Sequence, residues 1–377
     1  MFDVLIVGAG PAGSVAATVL ARAGARVLVL DRARFPRRKL CGDSLNPGAL
    51  AVLRELKLDA ATAGGLPIDG MIVTGERGVR VEGRYAGQQG RTLERRELDL
   101  ALLSAACDAG ARIEQGVLVQ GPIVDSSGSS PVVCGVVIQR RDGRAVRLLA
   151  PMVIAADGRY SRVARALGLC QAPRRPRRWA VGAYFSDVSE LTSFGEMHVR
   201  RGHYIGVAPV PGGSANACVV TSDRAPLRDP SALLLRTLQT DPQLRDRFAG
   251  ARMIRPTVSI GPLAVDCNVA GVPGLLLAGD AAGFVDPMTG DGLRFAFRGG
   301  ELAARQALRA LDAGGAGAHE RLLDARRREF SRKWRFNRGL RALVGSPAAV
   351  RAAGYGASLA PALLHHLIAY AGDVEAA

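Results

Sequence analysis

Lysine is almost missing from this chain: Lys39, Lys57 and Lys333 are its only three, so the net charge of +16 over 377 residues rests on arginine. Aromatic side chains are also scarce, at 5%, and Trp179 and Trp334 are the only tryptophans. A nucleic-acid binder concentrates basic charge and interleaves it with stacking rings or a groove-reading helix. Neither pattern is present, which argues against a nucleic-acid partner. The charge reads instead as compositional bias plus attraction for an anionic substrate, with an anionic membrane or an acidic partner as the alternative. The densest basic runs, residues 174–178 and 326–335, fall beside the domain edges derived below.

Six cysteines (Cys41, Cys107, Cys134, Cys170, Cys218 and Cys267) are scattered without metal-ligand spacing. They read as reduced thiols of a cytoplasmic protein, and no metal site is expected. No basic segment precedes the strand that starts at Asp3, so no signal peptide is expected. No uninterrupted run of about 20 apolar residues marks a membrane span. The charge-free stretch 352–372 comes nearest, but Gly354, Gly356, Pro361 and His365–His366 interrupt it. It reads as a helix packed on the core; the other reading is a helix resting on a bilayer or opening to a lipid-like substrate.

The apolar periodicity alternates between two textures. A strand at 3–7, a glycine turn, a helix at 12–23 and a strand at 26–30 form a βαβ unit. A helix follows at 93–110, then short strands at 116–119, 132–138, 146–149 and 153–156. Residues 179–265 change to alternating strands and turns, such as 204–207 and 217–221, around one helical segment at 231–248. A buried strand at 275–278 and a helix at 293–311 restore the first texture. The β-rich block is therefore inserted in a discontinuous first domain. The spans expected are 1–75, 93–175 and 266–311 for that domain, 76–92 and 176–265 for the insert, and 312–377 for a C-terminal helical region.

Three loops carry chemistry. Gly8-Ala9-Gly10-Pro11-Ala12-Gly13 follows a strand and opens a helix. Gly8 permits the tight turn, Gly10 lets backbone approach a pyrophosphate, and Gly13 lets the helix pack on the strand. Asp31 ends the next strand, where a carboxylate can accept from a ribose hydroxyl. Asp157-Gly158 closes a second buried strand, and Ser161 starts a helix that carries Arg165. Gly279-Asp280 closes a third, followed by a turn with Pro287, Gly290 and Gly292. Carboxylates at strand ends can bind ribityl hydroxyls, and a glycine turn at a helix N-terminus can present N–H groups to a flavin. Order and separation point to one extended FAD.

The three motifs together resemble the flavoprotein superfamily of the aromatic hydroxylases, geranylgeranyl reductases and flavin-dependent halogenases, over residues 1 to about 310. The resemblance implies an α/β fold: a Rossmann-like FAD-binding domain of glutathione-reductase type, an inserted β-sheet substrate domain and a C-terminal helical segment. It adds Arg32, Arg38, Val119 and Leu293 to the FAD contacts. Residues 37–50 resemble the Cys-Gly loop of the reductase and halogenase branch, which places Cys41, Gly42 and Asp43 near the flavin. Residues 95–99 resemble the family's Arg-x-x-Asp helix start, and Arg96 is the arginine expected at FAD in preference to Arg95.

The reaction is less sharply marked. The Trp-x-Trp-x-Ile-Pro signature of halogenases is missing, and no lysine lies between Lys57 and Lys333. The reductases' Gly-Tyr-x-Trp-x-Phe-Pro strand corresponds to residues 202–209, which keep Tyr204 and Pro209 but have no Trp or Phe. That departure turns the expectation toward a monooxygenase of secondary metabolism. It would hydroxylate an aromatic, phenolic or polyketide-like substrate with NAD(P)H and O2, through a flavin C4a-hydroperoxide. Cys41, His203, Tyr204 and Pro287 are the expected catalytic group, with His203 and Tyr204 orienting a phenol. The alternative is a reductase acting on an isoprenoid, a lipid or a carrier-bound acyl group.

Overall fold

Val4–Val7, Met152–Ala155 and Leu275–Leu277 are short apolar runs buried on both faces, the pattern of a parallel sheet covered by other layers. The computed structural model describes every residue except 77, 86, 129, 141, 174–176, 315, 346–368 and 373–377. In it these runs lie side by side in a six-stranded sheet. Its order is Gly271–Val272, Leu275–Leu277, Met152–Ala155, Val4–Val7, Val27–Asp31, Arg112–Gln115, and every pairing but the first is parallel. Residues 4–7 therefore pair with residues 152–155, far away in the chain.

The helix Pro11–Arg22 begins with proline at its first position, where the missing N–H costs nothing. It packs on the helix Gly292–Ala313 so closely that a Cβ at Gly300 would stand 2.2 Å from the Ala12 carbonyl oxygen. These helices cover one face of the sheet with a core that includes Leu20, Leu103 and Leu322. The other face packs on a three-stranded layer, Leu118–Asp125, Val132–Gln139 and Ala145–Leu149, through Val133, Val136 and Ile138.

The second texture becomes an eight-stranded sheet. Arg252–Met253, Trp179–Ser186, Ser214–Thr221, His203–Val210, Phe194–Arg200, Gly70–Thr74 and Arg80–Arg84 follow one another, and Val258–Ile260 also pairs with Trp179–Ser186. Gly70–Thr74 thus joins the large sheet, in parallel with Phe194–Arg200, whereas the sequence division left it in the first segment. Strand periodicity shows which residues face in; it is silent on a partner this distant. The helix expected over 231–248 spans Pro230–Thr240 and stops there. Asp241 precedes Pro242, which disfavours helical backbone before it, and takes ψ 127°.

The cysteines need a correction. Cys170 and Cys267 face each other in a two-stranded antiparallel pair, Cα atoms 4.7 Å apart, and are joined in a disulfide. Their separation of 97 residues hid the pairing. Cys41, Cys107, Cys134 and Cys218 remain free thiols.

No helix among the described residues is long and apolar enough to cross a membrane. The stretch 352–372 falls outside the described residues up to 368, so neither reading of it meets the structure there. Its last part folds back on the body: Gly48 N–H donates to the Gly372 carbonyl at 3.2 Å, and Asn46 Nδ2 to the Ala371 carbonyl at 3.2 Å.

Candidate active site

A cavity of about 730 Å3 runs between the glycine loops and the large sheet. Its first end is built by backbone. Gly8 has φ +99°, and a Cβ there would meet the Ala156 carbonyl oxygen at 2.5 Å, so the first glycine is needed both for the turn and for the close approach of the Asp157 strand end. A Cβ on Gly13 would stand 1.8 Å from the Gly8 carbonyl oxygen. Gly10, Pro11 and Ala12 form the cavity wall at the helix N-terminus, which no side chain caps and no acid neutralises in its first turn. The exposed N–H groups and the helix dipole make that end an anion site. Asp31 braces the loop: its Oδ2 accepts from Ala9 N–H at 2.8 Å and its Oδ1 from Ala33 N–H at 2.7 Å.

Cations surround this end. Arg32, Arg37, Arg38, Lys39, Arg95 and Arg159 all line the cavity. Arg95, only 5% exposed, gives Asp99 a two-pronged bond from Nε at 2.7 Å and Nη2 at 3.0 Å, and Arg37 Nη2 reaches the same carboxylate at 2.9 Å. Burial pulls the Lys39 ammonium down to about 8, with the charge of Arg95 adding to the effect. Arg159 Nη2 lies 3.5 Å from Asp280, while its Nη1 and the Thr289 Oγ1, both buried, have no hydrogen-bond partner among the described residues. A chain of phosphates and sugar hydroxyls would satisfy these groups, so the wall fits an extended dinucleotide.

The other end is the large sheet. Side chains alternate across it, and the register sets Tyr204, Gly206 and Ala208 on the cavity side with Met197 and Val199. Met71 and Val73 from the neighbouring strand also line this side. The Tyr204 hydroxyl donates to Asp286 Oδ1 at 2.7 Å, and Arg178 holds Oδ2 at 2.9 Å, which ties the sheet to the turn at Pro287. Burial raises the Tyr204 phenol well above its ordinary value, and Asp286 adds to this. On the opposite face, Glu196 accepts two bonds from Arg247, both 2.7 Å, and pairs with His198 at 3.0 Å.

Between the ends, the 37–44 loop carries Cys41 into the cavity. Asp43 behind it is fully buried with φ +55°. Its Oδ2 accepts from Tyr184 Oη and Asn216 Nδ2, each at 2.6 Å, and its Oδ1 from Arg95 N–H at 3.2 Å. Burial pushes this carboxyl up to about 6 against those hydrogen bonds. Asn216 also donates to the Cys41 carbonyl at 2.8 Å, so Asp43 and Asn216 together pin the loop to the sheet.

Most of the residues picked from sequence converge here. Gly8, Gly10, Pro11, Ala12, Asp31, Arg32, Arg38, Cys41, Gly42, Val119, Asp157, Gly158, Gly279, Asp280, Pro287, Gly290, Gly292, Leu293 and Tyr204 all line the cavity. Two do not. Arg96 is exposed on the far side of its helix; Asp99 is bonded by the residue four positions before it, since i and i+4 share a helix face. His203 is half-buried and is not part of the cavity wall: it is cross-strand to Arg200 on the Glu196 side, where burial pulls its imidazole down. Asn216 and Cys218 line the cavity without a motif to announce them, and Arg37, Lys39 and Arg95 line it from stretches whose pattern pointed to a neighbouring residue.

A family model described as FAD binding domain matches residues 1–332. The chain belongs to that family. It is an FAD-dependent oxidoreductase, and the cavity wall above is where FAD fits. It is similar to menaquinone reductase of Mycobacterium tuberculosis, 36% identical over 327 residues that cover 80% of this chain and 75% of the relative. A digeranylgeranylglycerophospholipid reductase of Methanopyrus kandleri is 30% identical over 355 residues, 89% of this chain and 84% of the relative. Among solved structures, a geranylgeranyl bacteriochlorophyll reductase-like protein of Thermoplasma acidophilum superposes with a TM-score of 0.78 at 25% identity, covering 98% of this chain and 91% of that one. A flavin-dependent brominase reaches a TM-score of 0.83 at 20% identity over 99% and 94% of the two chains, which shows the shared fold alone.

These relatives overturn the expected hydroxylation, because those with substantial sequence identity are reductases. The misleading signal was the strand 202–209. Its missing Trp and Phe fall at Gly206 and Ala208, both on the cavity wall, so their smallness enlarges the site.

Proposed function

We propose that this flavoprotein is a reductase that adds hydrogen across a carbon–carbon double bond of a polyprenyl-bearing lipid, with NAD(P)H as reductant. The observation that carries this reading is the sheet wall: Met71, Val73, Met197, Val199, Gly206 and Ala208 present hydrocarbon and space, and Glu196, which also lines the cavity, is already paired with Arg247 and His198. A phenolic substrate would want a free polar group there to orient it. The Tyr204 hydroxyl is already committed to Asp286, and His203 is not on the wall. The names of the similar reductases support the same substrate class, since menaquinone and digeranylgeranylglycerophospholipid both carry polyprenyl chains.

The helix N-terminus at Gly10–Ala12, with Arg37 and Arg95, would hold the pyrophosphate of FAD. Bound there, the flavin would supply hydride chemistry between NAD(P)H and an alkene. The apolar sheet face orients the prenyl chain and keeps water from the reacting carbons. The second carbon needs a proton. Tyr204 and Cys218 hold theirs tightly, because burial raises the first and pushes the second up to about 12. Lys39, which burial brings down to about 8, and Cys41 both line the same cavity, and Cys41, in the Cys-Gly loop, is the donor proposed.

The test is anaerobic turnover of FAD-loaded protein with NAD(P)H and a prenylated quinone or a geranylgeranyl lipid. A product heavier by two hydrogens, formed without O2, is expected. Strict dependence on O2, with oxygen-18 entering the product, would sink the proposal.

A further inference from the structure

The mechanism leaves the long C-terminal helix, Ala318–Gly345, without a role. Arg328, Arg332 and Arg335 fall at i, i+4 and i+7 along it and form one exposed stripe, which exposed Arg321 extends two turns toward its start. No described residue forms an ion pair or hydrogen bond with any of the three. The acids nearby are already engaged: Asp324 lies 3.8 Å from Arg327, and Glu329 bonds Arg294 at 3.1 Å.

The adjoining face of the same helix reaches the cavity. Phe336 and Leu340, one turn beyond Arg332 and Arg335, line it beside Ala371 and Gly372. Next to them two apolar side chains stand in solvent, Leu343 at 36% and Tyr370 at 39% exposure. The Tyr370 ring packs edge-on to Phe336 with centroids 5.0 Å apart, which holds it at this corner. Guanidinium groups beside an exposed leucine and a half-exposed tyrosine form the pattern that settles at a lipid headgroup layer, where charge meets anionic lipid and rings take the interface. A nucleic acid would use the arginines and leave Leu343 with nothing to cover it.

We propose that the Arg328–Arg332–Arg335 face of this helix docks on an anionic lipid bilayer and brings the Phe336–Leu340 side of the cavity to the lipid. The purpose of this docking rests on the polyprenyl reading; the docking itself does not. Each arginine near such a surface is worth about fivefold in partitioning, so the three together account for about a hundredfold.

The test uses the full chain with FAD bound, sedimented with vesicles of phosphatidylcholine alone or mixed with phosphatidylglycerol. Sedimentation with the mixed vesicles alone, reversed by salt, is expected. The R328E/R332E/R335E variant should lose about a hundredfold or more in partitioning while keeping its flavin absorbance. R328K/R332K/R335K should bind like the parent and shows that charge, not fold, was changed. Equal binding to neutral vesicles, or a charge-reversed variant that sediments like the parent, would overturn the proposal. So would duplex DNA that strips the protein from the vesicles at matched charge. Turnover on a detergent-dispersed prenyl substrate is read separately: if it is absent while vesicle binding holds, the reductase reading alone fails.

Discussion

The two ends of the cavity are made differently. The end at Gly8–Ala12 is set by backbone, a turn that only glycine permits and a helix N-terminus, with Arg37 and Arg95 held beside it by Asp99. The end at the large sheet is set by side-chain volume on alternating positions, with small and aliphatic residues facing in and an ion-paired cluster facing out. The first end is specific for a charged, conformationally defined ligand. The second constrains only shape and polarity, and so suits a long apolar chain whose identity the protein does not read by hydrogen bonds.

Changes at the backbone end should cost the cofactor, and changes at the sheet end should cost only the substrate. The largest effect is expected for Gly10→Val. Its side chain would occupy pyrophosphate space, and the protein should purify colourless; stoichiometric yellow flavin would refute the loop's role. Next, Arg95→Ala should destabilise the fold by about 3–5 kcal/mol, because the buried Asp99 loses a two-pronged partner. Arg96→Ala should stay within about 0.5 kcal/mol in the same urea titration. The Asp43 carboxyl contributes a smaller, pH-dependent effect. Its folded value of about 6 lies above the ordinary 3.8, so the folded chain holds an extra proton between these values. Stability gained below about pH 4 is therefore lost as pH rises through 6, by about 1–3 kcal/mol. Asp43→Asn should flatten that slope, and an unchanged slope would mean the carboxyl ionises freely in the fold. Smallest is Gly206→Phe, whose Cβ would meet nothing closer than the Glu196 carbonyl oxygen at 3.9 Å and whose ring would enter the cavity. It should lower kcat/KM for a prenyl substrate by about tenfold, roughly 1.4 kcal/mol, with flavin content and Tm unchanged. His203→Ala, on the other face, should leave kcat/KM alone; equal losses from both would break the division of the sheet into a binding face and a structural one.

This contrast also explains what could be read beforehand. The three glycine loops were legible because backbone geometry forces particular residues at fixed spacing, and all three line the cavity. Arg95 was ranked below Arg96 because a linear Arg-x-x-Asp pattern names Arg96, whereas in the structure Arg95 bonds Asp99 and Arg96 is exposed. His203 and Tyr204 differ by one step of a two-residue alternation, and nothing local says which of them faces the cavity. The pairing of Cys170 with Cys267, and of Gly70–Thr74 with Phe194–Arg200, depends on contacts far away in the chain. At the sheet end the absence of aromatic residues was visible, but its sign was not: small residues at Gly206 and Ala208 add room on the wall, where the sequence alone suggested a different chemistry.

The order of strands in the six-stranded sheet has a bearing on biosynthesis. Val4–Val7 is made well before its partners: one of its edges pairs with Met152–Ala155, and that strand in turn waits for Leu275–Leu277. The intervening eight-stranded sheet has all of its strands available before the first sheet can close. A nascent chain halted before residue 275 would therefore carry the glycine loop without the Gly279–Asp280 wall and should not retain flavin. Until then an apolar strand edge stays open, the kind of edge that invites wrong pairing while the chain is incomplete.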